Sequence, residues 1–508
     1  MTEPEGLVDL SAVELRRRIA TKEISPVELL EACIDRIAAI NPAVNAVTAT
    51  CYERARQEAR VAEAAVLRGD ALGLLHGLPA GIKDLEDTAG LLTTYGSPNF
   101  RGHVPAQDGA VVRLLRQAGA IVVAKTNVPE MGAGANTRNS VWGATGNPFD
   151  PMKNAGGSSG GAAAALACDM LPVCTGSDTG GSLRIPAALC GVVGFRPSPG
   201  LVPVSRRALG WSPISVIGPM GRTVEEACLQ LAATATGHDS DPLSYPVDGG
   251  DFLSPPAVDL SSLRVGWTVD FGVCPVDDGI RALFRQRMVT ISSLFRSCGE
   301  IALDMGEADR CFDILRAGAF VAGFREVYER APDTLGPNVR ANVAMAQAMT
   351  LDDATWAHME QTRIFRRFQQ VFQEVDVILS PVTPVSPFPW SLPYLDSING
   401  VQLENYYRWL ALTYVVTLAS NPALALPCGV DEVGMPFGLQ LTGRFRGDAT
   451  LLGIARAMEA AFAQTPETRR PRPDPRRLAQ ATPALKAIVT HAPILNATAS
   501  NAGGKVAV

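Results

Sequence analysis

Apolar positions in the N-terminal region recur at helical spacing. Leu29, Leu30, Cys33, Ile34 and Ile37 fall on one face of a helix and predict its burial. Ser25-Pro26-Val27-Glu28 supplies a start signal, with a capping Ser, a Pro at the first helical position and a Glu to complete a capping box. Ser11 followed by Glu14 predicts a second capping box, and a further helix is predicted over 52–67.

Beyond this region the texture changes to short apolar runs that end in polar or Gly-rich turns. The runs are 78–82, 120–124, 170–174, 263–267, 375–379, 423–426 and 437–441. Helical patterns lie between them, for example at 109–118 and 223–233. Strands alternating with helices predict α/β layers around a mixed sheet. No internal repeat is visible. Residues 239–258 are rich in Asp, Pro, Ser and Gly and read as a surface loop. From 466 to 508 the chain turns Pro- and Arg-rich, which predicts a poorly ordered extension to a domain over 1–465.

Composition narrows the function. The 508 residues carry 45 Lys plus Arg against 51 Asp plus Glu, a net charge of −6. That balance has no electrostatic footprint for nucleic acid. At 47% hydrophobic and 19% charged, the chain can bury a large core. No apolar run reaches the ~18 residues of a membrane span. The acidic start, MTEPEGLVDL, is unlike a secretory leader, so the expected compartment is the cytoplasm. The ten Cys form no C-x-x-C and lie near no His at ligand spacing, so reduced thiols and no metal are expected.

One segment carries chemistry. Residues 156–194 hold nine Gly but only three charged residues, Asp169, Asp178 and Arg184. Gly at this density lets backbone approach backbone or ligand closely. Ser158, Ser159 and Ser182 sit in its turns. A phosphate loop is a poor match, because 119–126 ends in Lys125-Thr126 but lacks the second Gly. Gly156-Gly157-Ser158-Ser159-Gly160 matches a nucleophile elbow formally, yet a turn-like stretch precedes it. The five His, at 76, 103, 238, 358 and 491, carry no acid–base signature. Close packing alone is another reading of these glycines.

Lysine is the alternative base. Ser–Lys pairs work when burial keeps the amine neutral. There are only six Lys: Lys22, Lys83, Lys125, Lys153, Lys486 and Lys505. Lys83 directly follows an apolar run, although such a Lys can also snorkel to water.

At this point the residues resemble the amidase signature hydrolases. The resemblance lies in Gly156-Gly157-Ser158-Ser159-Gly160-Gly161, in the run from Gly176 through Asp178, Gly180, Gly181, Ser182 and Arg184 to Ala187, and in Cys190 to Gly194. Flanking blocks at 125–127, 380–384 and 426–440 agree, and the match covers about residues 5–462. It implies a single large α/β domain, with a central mixed sheet covered by helices on both faces. It also implies a serine amidohydrolase with no cofactor and no metal.

By this resemblance Ser182 is the nucleophile, Ser158 a bridging Ser with a cis peptide, and Lys83 the base. The backbone N–H groups of Thr179, Gly180, Gly181 and Ser182 would stabilise the oxyanion. Asp84, Ser159, Asp178 and Arg184 would support the site. The implied partners are a small-molecule amide and water, for a monomer or homodimer without nucleic acid or membrane.

The family also includes the A-type component of glutamyl-tRNA amidotransferase, which works in a complex. Val128-Pro129-Glu130-Met131-Gly132-Ala133-Gly134-Ala135 departs from the block found in that component and argues for a stand-alone amidase. The small residues beside Met131, Gly132 and Ala133 suggest a roomy apolar acyl site for aryl or alkyl amides, with a tightly packed turn as the alternative. Tyr406, Tyr407, Trp409 and Tyr414 are candidates for the opposite wall. Carbamates and esters share the acyl chemistry.

Overall fold

The computed structural model describes residues 6–205 and 207–497. Lys505 therefore lies outside the described residues.

An 11-stranded mixed sheet runs through the domain and is flanked by helices. In chain order its strands are β1 (Val47–Thr50), β2 (Pro79–Lys83), β3 (Ile121–Thr126), β4 (Val173–Asp178), β5 (Val193–Arg196) and β6 (Val216–Gly221). They continue with β7 (Arg264–Trp267), β8 (Ser297–Glu300), β9 (Val377–Pro381), β10 (Ala423–Val430) and β11 (Pro436–Thr442). The spatial order is β1-β3-β2-β4-β6-β5-β10-β11-β9-β7-β8. β3, β2 and β4 run parallel, as do β9, β7 and β8; the other pairs are antiparallel.

All seven apolar runs carry a strand of this sheet. The helical patterns at 109–118 and 223–233 are helices Ala110–Gln117 and Val224–Thr234. The fourth strand is displaced along the chain from 170–174, because its pairing with β6 continues through Gly176 and Ser177 to Asp178 opposite Val216. Ladder bonds hold small and polar residues here that periodicity does not mark.

The helix over Pro26–Val44 is capped as expected: Glu28 N donates to Ser25 Oγ (3.0 Å) and Ser25 N donates to Glu28 Oε2 (2.8 Å). The capping box at Ser11 is only half made. Glu14 N reaches Ser11 Oγ, but the Glu14 carboxylate is taken by Arg17 and Arg18.

One helix, α1 (Gly160–Ala167), is buried at every residue. Its Gly161 lies against the backbone of strand neighbours. A Cβ there would come within 2.2 Å of Asn127 N and 2.7 Å of Ala46 O, so only Gly lets the helix sit this close.

The Pro/Arg-rich segment differs from expectation over 466–497. Leu478 and Leu485 are buried. Arg470 Nε donates to Gly191 O (2.8 Å), Arg472 pairs with Asp169 (3.3 Å), and Ala144 N donates to Leu485 O (2.9 Å). Two leucines and a few directed bonds are enough to lay this segment along the domain, a pattern too sparse to register in composition. Among the described residues, no helix is long and apolar enough to cross a membrane.

Candidate active site

Two parallel strands bring the site together. β2 ends at Lys83 and β4 at Asp178, and their parallel pairing puts both carboxyl ends on the same side of the sheet. Lys83 N donates to Thr175 Oγ1 on β4 (2.8 Å), which fixes the end of one strand against the other. The turn after β4 carries Thr179 to Leu183. The turn before α1 carries Ser158, whose peptide bond to Gly157 is cis.

Lys83 is fully buried. Its Nζ donates to Ser158 Oγ (2.8 Å), Ser177 Oγ (2.9 Å) and Ser177 O (3.3 Å). Burial lowers its pKa from 10.5 to about 7, although the charges of Glu86 and Asp178 pull the other way. A neutral amine at neutral pH is therefore within reach. Ser177 was not among the serines singled out from sequence. Its place two residues past Thr175 on β4, one residue before Asp178, is the signal that could have found it.

Ser158, Ser177, Thr179 and Ser182 line one cavity, together with Met131 and Gly132. Gly132 has φ +70°, and a Cβ there would lie 3.5 Å from Ser158 Oγ. Among the described residues, no His lines this cavity. Ser159 lies behind it: Ser159 N donates to Ser182 O (3.3 Å), which ties the two serine turns together.

Asp178 organises the Ser182 turn. Its Oδ1 accepts from Gly181 N (2.9 Å) and Arg184 Nη2 (2.9 Å), and its Oδ2 accepts from Leu183 N (3.2 Å) and Arg184 Nε (3.0 Å). Burial alone would raise its pKa, but Arg184 and Arg196 outweigh that and hold the carboxyl well below the usual range. Arg184 in turn donates to Thr413 O (2.9 Å) and Gln440 Oε1 (2.6 Å). The Gly181 N–H is thus committed inside the turn. This differs from the expectation of four free donors and leaves Thr179, Gly180 and Ser182.

Asp84 is buried and supports from further back. Its Oδ1 accepts from Thr94 N (3.0 Å) and its Oδ2 from Thr94 Oγ1 (2.5 Å). Burial pushes its carboxyl up to about 6. Lys125 is also buried and donates to Glu86 O and Thr88 Oγ1, away from the serines.

Ala133 does not reach the cavity. It packs among Tyr95, Met131, Phe320 and Phe324, and its carbonyl accepts from Asn338 Nδ2 (2.7 Å). Of the small residues after Met131, Gly132 lines the cavity, whereas Ala135 serves close approach. A Cβ on Gly157 would meet Ala135 C and Cα at 3.0 and 3.1 Å. The expected aromatic wall is also different. Tyr406, Tyr407, Trp409 and Tyr414 are core residues, and none of them lines the cavity. The facing wall comes instead from α2 (Ala308–Arg330), through Arg316, Ala319, Phe320 and Phe324, and from residues within 203–205 and 207–215.

Comparison with known proteins identifies the family of the chain. The family described as Amidase matches residues 28–452. The A-type component of a glutamyl-tRNA(Gln) amidotransferase from Chloroflexus aurantiacus is 34% identical over 89% of this chain and 96% of its own. An acylamidase from Rhodococcus erythropolis is 33% identical over 91% of this chain and 97% of its own. Among solved structures, a bacterial aryl acylamidase of the amidase signature enzymes superposes with a TM-score of 0.83 at 27% identity, covering 90% of this chain and 96% of that one. The chain belongs to the amidase signature family and is a hydrolase acting on amide C–N bonds.

Proposed function

We propose that the protein hydrolyses small aryl or alkyl amides through an acyl-enzyme on Ser182. The observation that carries this reading is the Nζ of buried Lys83 held 2.8 Å from Ser158 Oγ, at the edge of the cavity that Ser182 lines.

The steps follow from the groups present. Neutral Lys83 accepts the Ser158 proton as Ser158 accepts the Ser182 proton. Ser182 Oγ forms a bond to the amide carbon, and the carbonyl oxygen becomes an oxyanion. The N–H groups of Thr179, Gly180 and Ser182 supply stabilisation; one such donor is typically worth about 3–4 kcal/mol. The proton returns along the relay to the amide nitrogen as the C–N bond breaks, and a neutral amine leaves. Water then attacks the acyl carbon, its proton taken by the same relay, and Ser182 is released.

Leu85, Tyr95, Met131, Phe320 and Phe324 give the cavity an apolar side suited to an aryl or alkyl group. Carbamates and esters fit the same acyl chemistry. In this reading the enzyme works in the cytoplasm as a monomer or homodimer, on a small molecule and water alone.

A second reading is supported by the 34% identity to the amidotransferase component over most of both chains. It expects stable co-purification with partner proteins and little activity alone. A hydrolysis screen of aryl amides, aliphatic amides, carbamates and esters, with Ser182→Ala as control, tests both. Multiple-turnover cleavage by the isolated chain, lost in Ser182→Ala, supports the amidase. Inactivity of the isolated chain on all four classes overturns it.

A further inference from the structure

Arg316 lies on α2 facing the cavity that Ser158 and Ser182 line, and it is only 7% exposed. Its Nε donates to Asn342 Oδ1 (3.1 Å) and its Nη2 donates to Tyr406 Oη (2.6 Å). Its guanidinium lies over the rings of Phe320 (4.9 Å) and Tyr407 (5.0 Å). Every one of these partners is neutral.

Among the described residues, Arg316 forms no ion pair, and its Nη1 makes no hydrogen bond. The acids nearest to it on α2 are occupied elsewhere. Asp313 pairs with Arg408 at 2.8 Å and accepts from Tyr407 Oη; Asp309 lies 3.4 Å from Arg408 and accepts from Tyr414 Oη. Glu86 and Asp87 also line the cavity, and Asp87 accepts from Tyr95 Oη. Arg207, the other basic lining residue among the described ones, already has Asp241 at 3.7 Å. A cation this buried ordinarily has an anion beside it.

Position ties Arg316 to the reaction. Phe312, one helical turn before it, lies 3.0 Å from where a Cβ on Gly180 would be. The exposed edge of the guanidinium therefore belongs to the same cavity, one turn of α2 from the nucleophile turn.

We propose that Arg316 selects amides carrying a carboxylate away from the scissile bond, and that the carboxylate docks on its Nη1 edge. This rests on the amidase reading and names the substrate class of that site. The apolar wall takes the hydrocarbon part of such a substrate, and Arg316 takes its charged end. Asn342 and Tyr406 are positioning residues, because they hold the guanidinium plane.

Two matched pairs test this: N-succinyl-4-nitroanilide against its methyl ester, and N-acetyl-4-aminobenzoate against its methyl ester. They place the charge on the acyl or the amine side. The wild type is expected to favour the acid of one pair by about tenfold or more in kcat/KM, mainly through KM, as for a charge-assisted hydrogen bond. In Arg316→Met that ratio collapses toward one, and Arg316→Lys restores part of it.

Equal rates on acid and ester in both pairs in the wild type overturn the proposal and leave the amidase reading standing. A ratio unchanged in Arg316→Met also overturns it. Calorimetric binding to Ser182→Ala separates the two ideas. Acid binding that is lost on adding Arg316→Met, with no hydrolysis by the wild type, supports the carboxylate site and overturns the anilide amidase reading. No binding of any acid overturns the site.

Discussion

Lys83 Nζ lies 2.8 Å from Ser158 Oγ, and the same nitrogen donates to Ser177 Oγ at 2.9 Å. Hydroxyls and a carbonyl surround an amine that burial has brought to about pKa 7. Such a group can take a proton near neutral pH and give it back, which a surface Lys cannot.

Removal of the nucleophile is expected to cost about 10³ or more in turnover. A fluorophosphonate should label the wild type and not Ser182→Ala. If the three groups act as the proposed relay, Lys83→Ala combined with Ser182→Ala should be scarcely worse than Ser182→Ala alone. Equal labelling of wild type and Ser182→Ala would remove Ser182 from its role.

The lowered pKa of Lys83 sets both rate and stability against pH. The base must be neutral, so kcat/KM should rise with pH through about 7 and level off above it. Between about 7 and 10.5 the unfolded chain binds a proton that the folded chain does not, so stability should rise with pH across that window. At or below its folded pKa, burying this group costs on the order of 5 kcal/mol. Lys83→Met is therefore expected to abolish turnover and raise the urea midpoint at pH 7, with the gain fading toward pH 10.5. A midpoint lowered by Lys83→Met at pH 7 would contradict this account.

Asp178 bears opposite consequences. Its carboxylate sits between Arg184 and Arg196 and bonds two backbone N–H groups of the Ser182 turn. Asp178→Asn leaves two buried cations without their anion and should cost about 3–5 kcal/mol. The folded pKa is depressed, so this stabilisation is present above the ordinary carboxylate range near 3.8 and declines as pH falls below it. Urea unfolding of both proteins between pH 7 and pH 3 measures it: the gap should stay constant down to about 3.8 and only begin to narrow by pH 3, because the folded carboxyl titrates well below that.

Gly181 has φ +121°, and a Cβ there would meet Thr413 Oγ1 at 2.2 Å and Ile185 Cδ1 at 2.7 Å. Thr413 cannot retreat freely, because its hydroxyl donates to Gly180 O at 2.6 Å. Gly181→Ala should therefore displace the turn and lower kcat by about 10² or more, as removal of an oxyanion donor does. The loss should fall on kcat more than on KM. A variant with wild-type kcat would show that the turn geometry is not critical.

The segment after the domain offers a test of packing. Deleting 466–508 uncovers the sites of Leu478 and Leu485, each worth about 1.5–3 kcal/mol when buried. The truncated protein should unfold at lower urea, with a smaller effect on KM. An unchanged midpoint would mean that these contacts contribute nothing.

Much of the fold could be read along the chain. Strand positions were visible as apolar runs because core strands concentrate branched and apolar residues between turns. Four strands, over Val47–Thr50, Val193–Arg196, Val216–Gly221 and Ser297–Glu300, were missed, since polar residues, glycines or prolines in them break the apolar run while ladder bonds still form. The Pro/Arg-rich segment misled for a related reason. Composition averages over many residues, whereas docking depends on two leucines and a few directed bonds.

Along the chain alone one could read the candidate groups of the proposed site: a Lys among only six, two serines in glycine-rich turns, and an Asp–Arg pair around one of them. These are local and ordered along the chain, so their spacing carries the information. What surrounds them became visible once the chain was folded. The tertiary structure added Ser177 to Lys83, withdrew the Gly181 N–H into the turn, moved Ala133 and four aromatics out of the cavity, and placed Arg316 in its wall. Those facts depend on which side of the sheet a strand ends and which turn of a distant helix faces inward. The cavity joins residues near 85, 131, 158, 182, 205 and 316, and no pattern along one stretch of chain records distances between such segments.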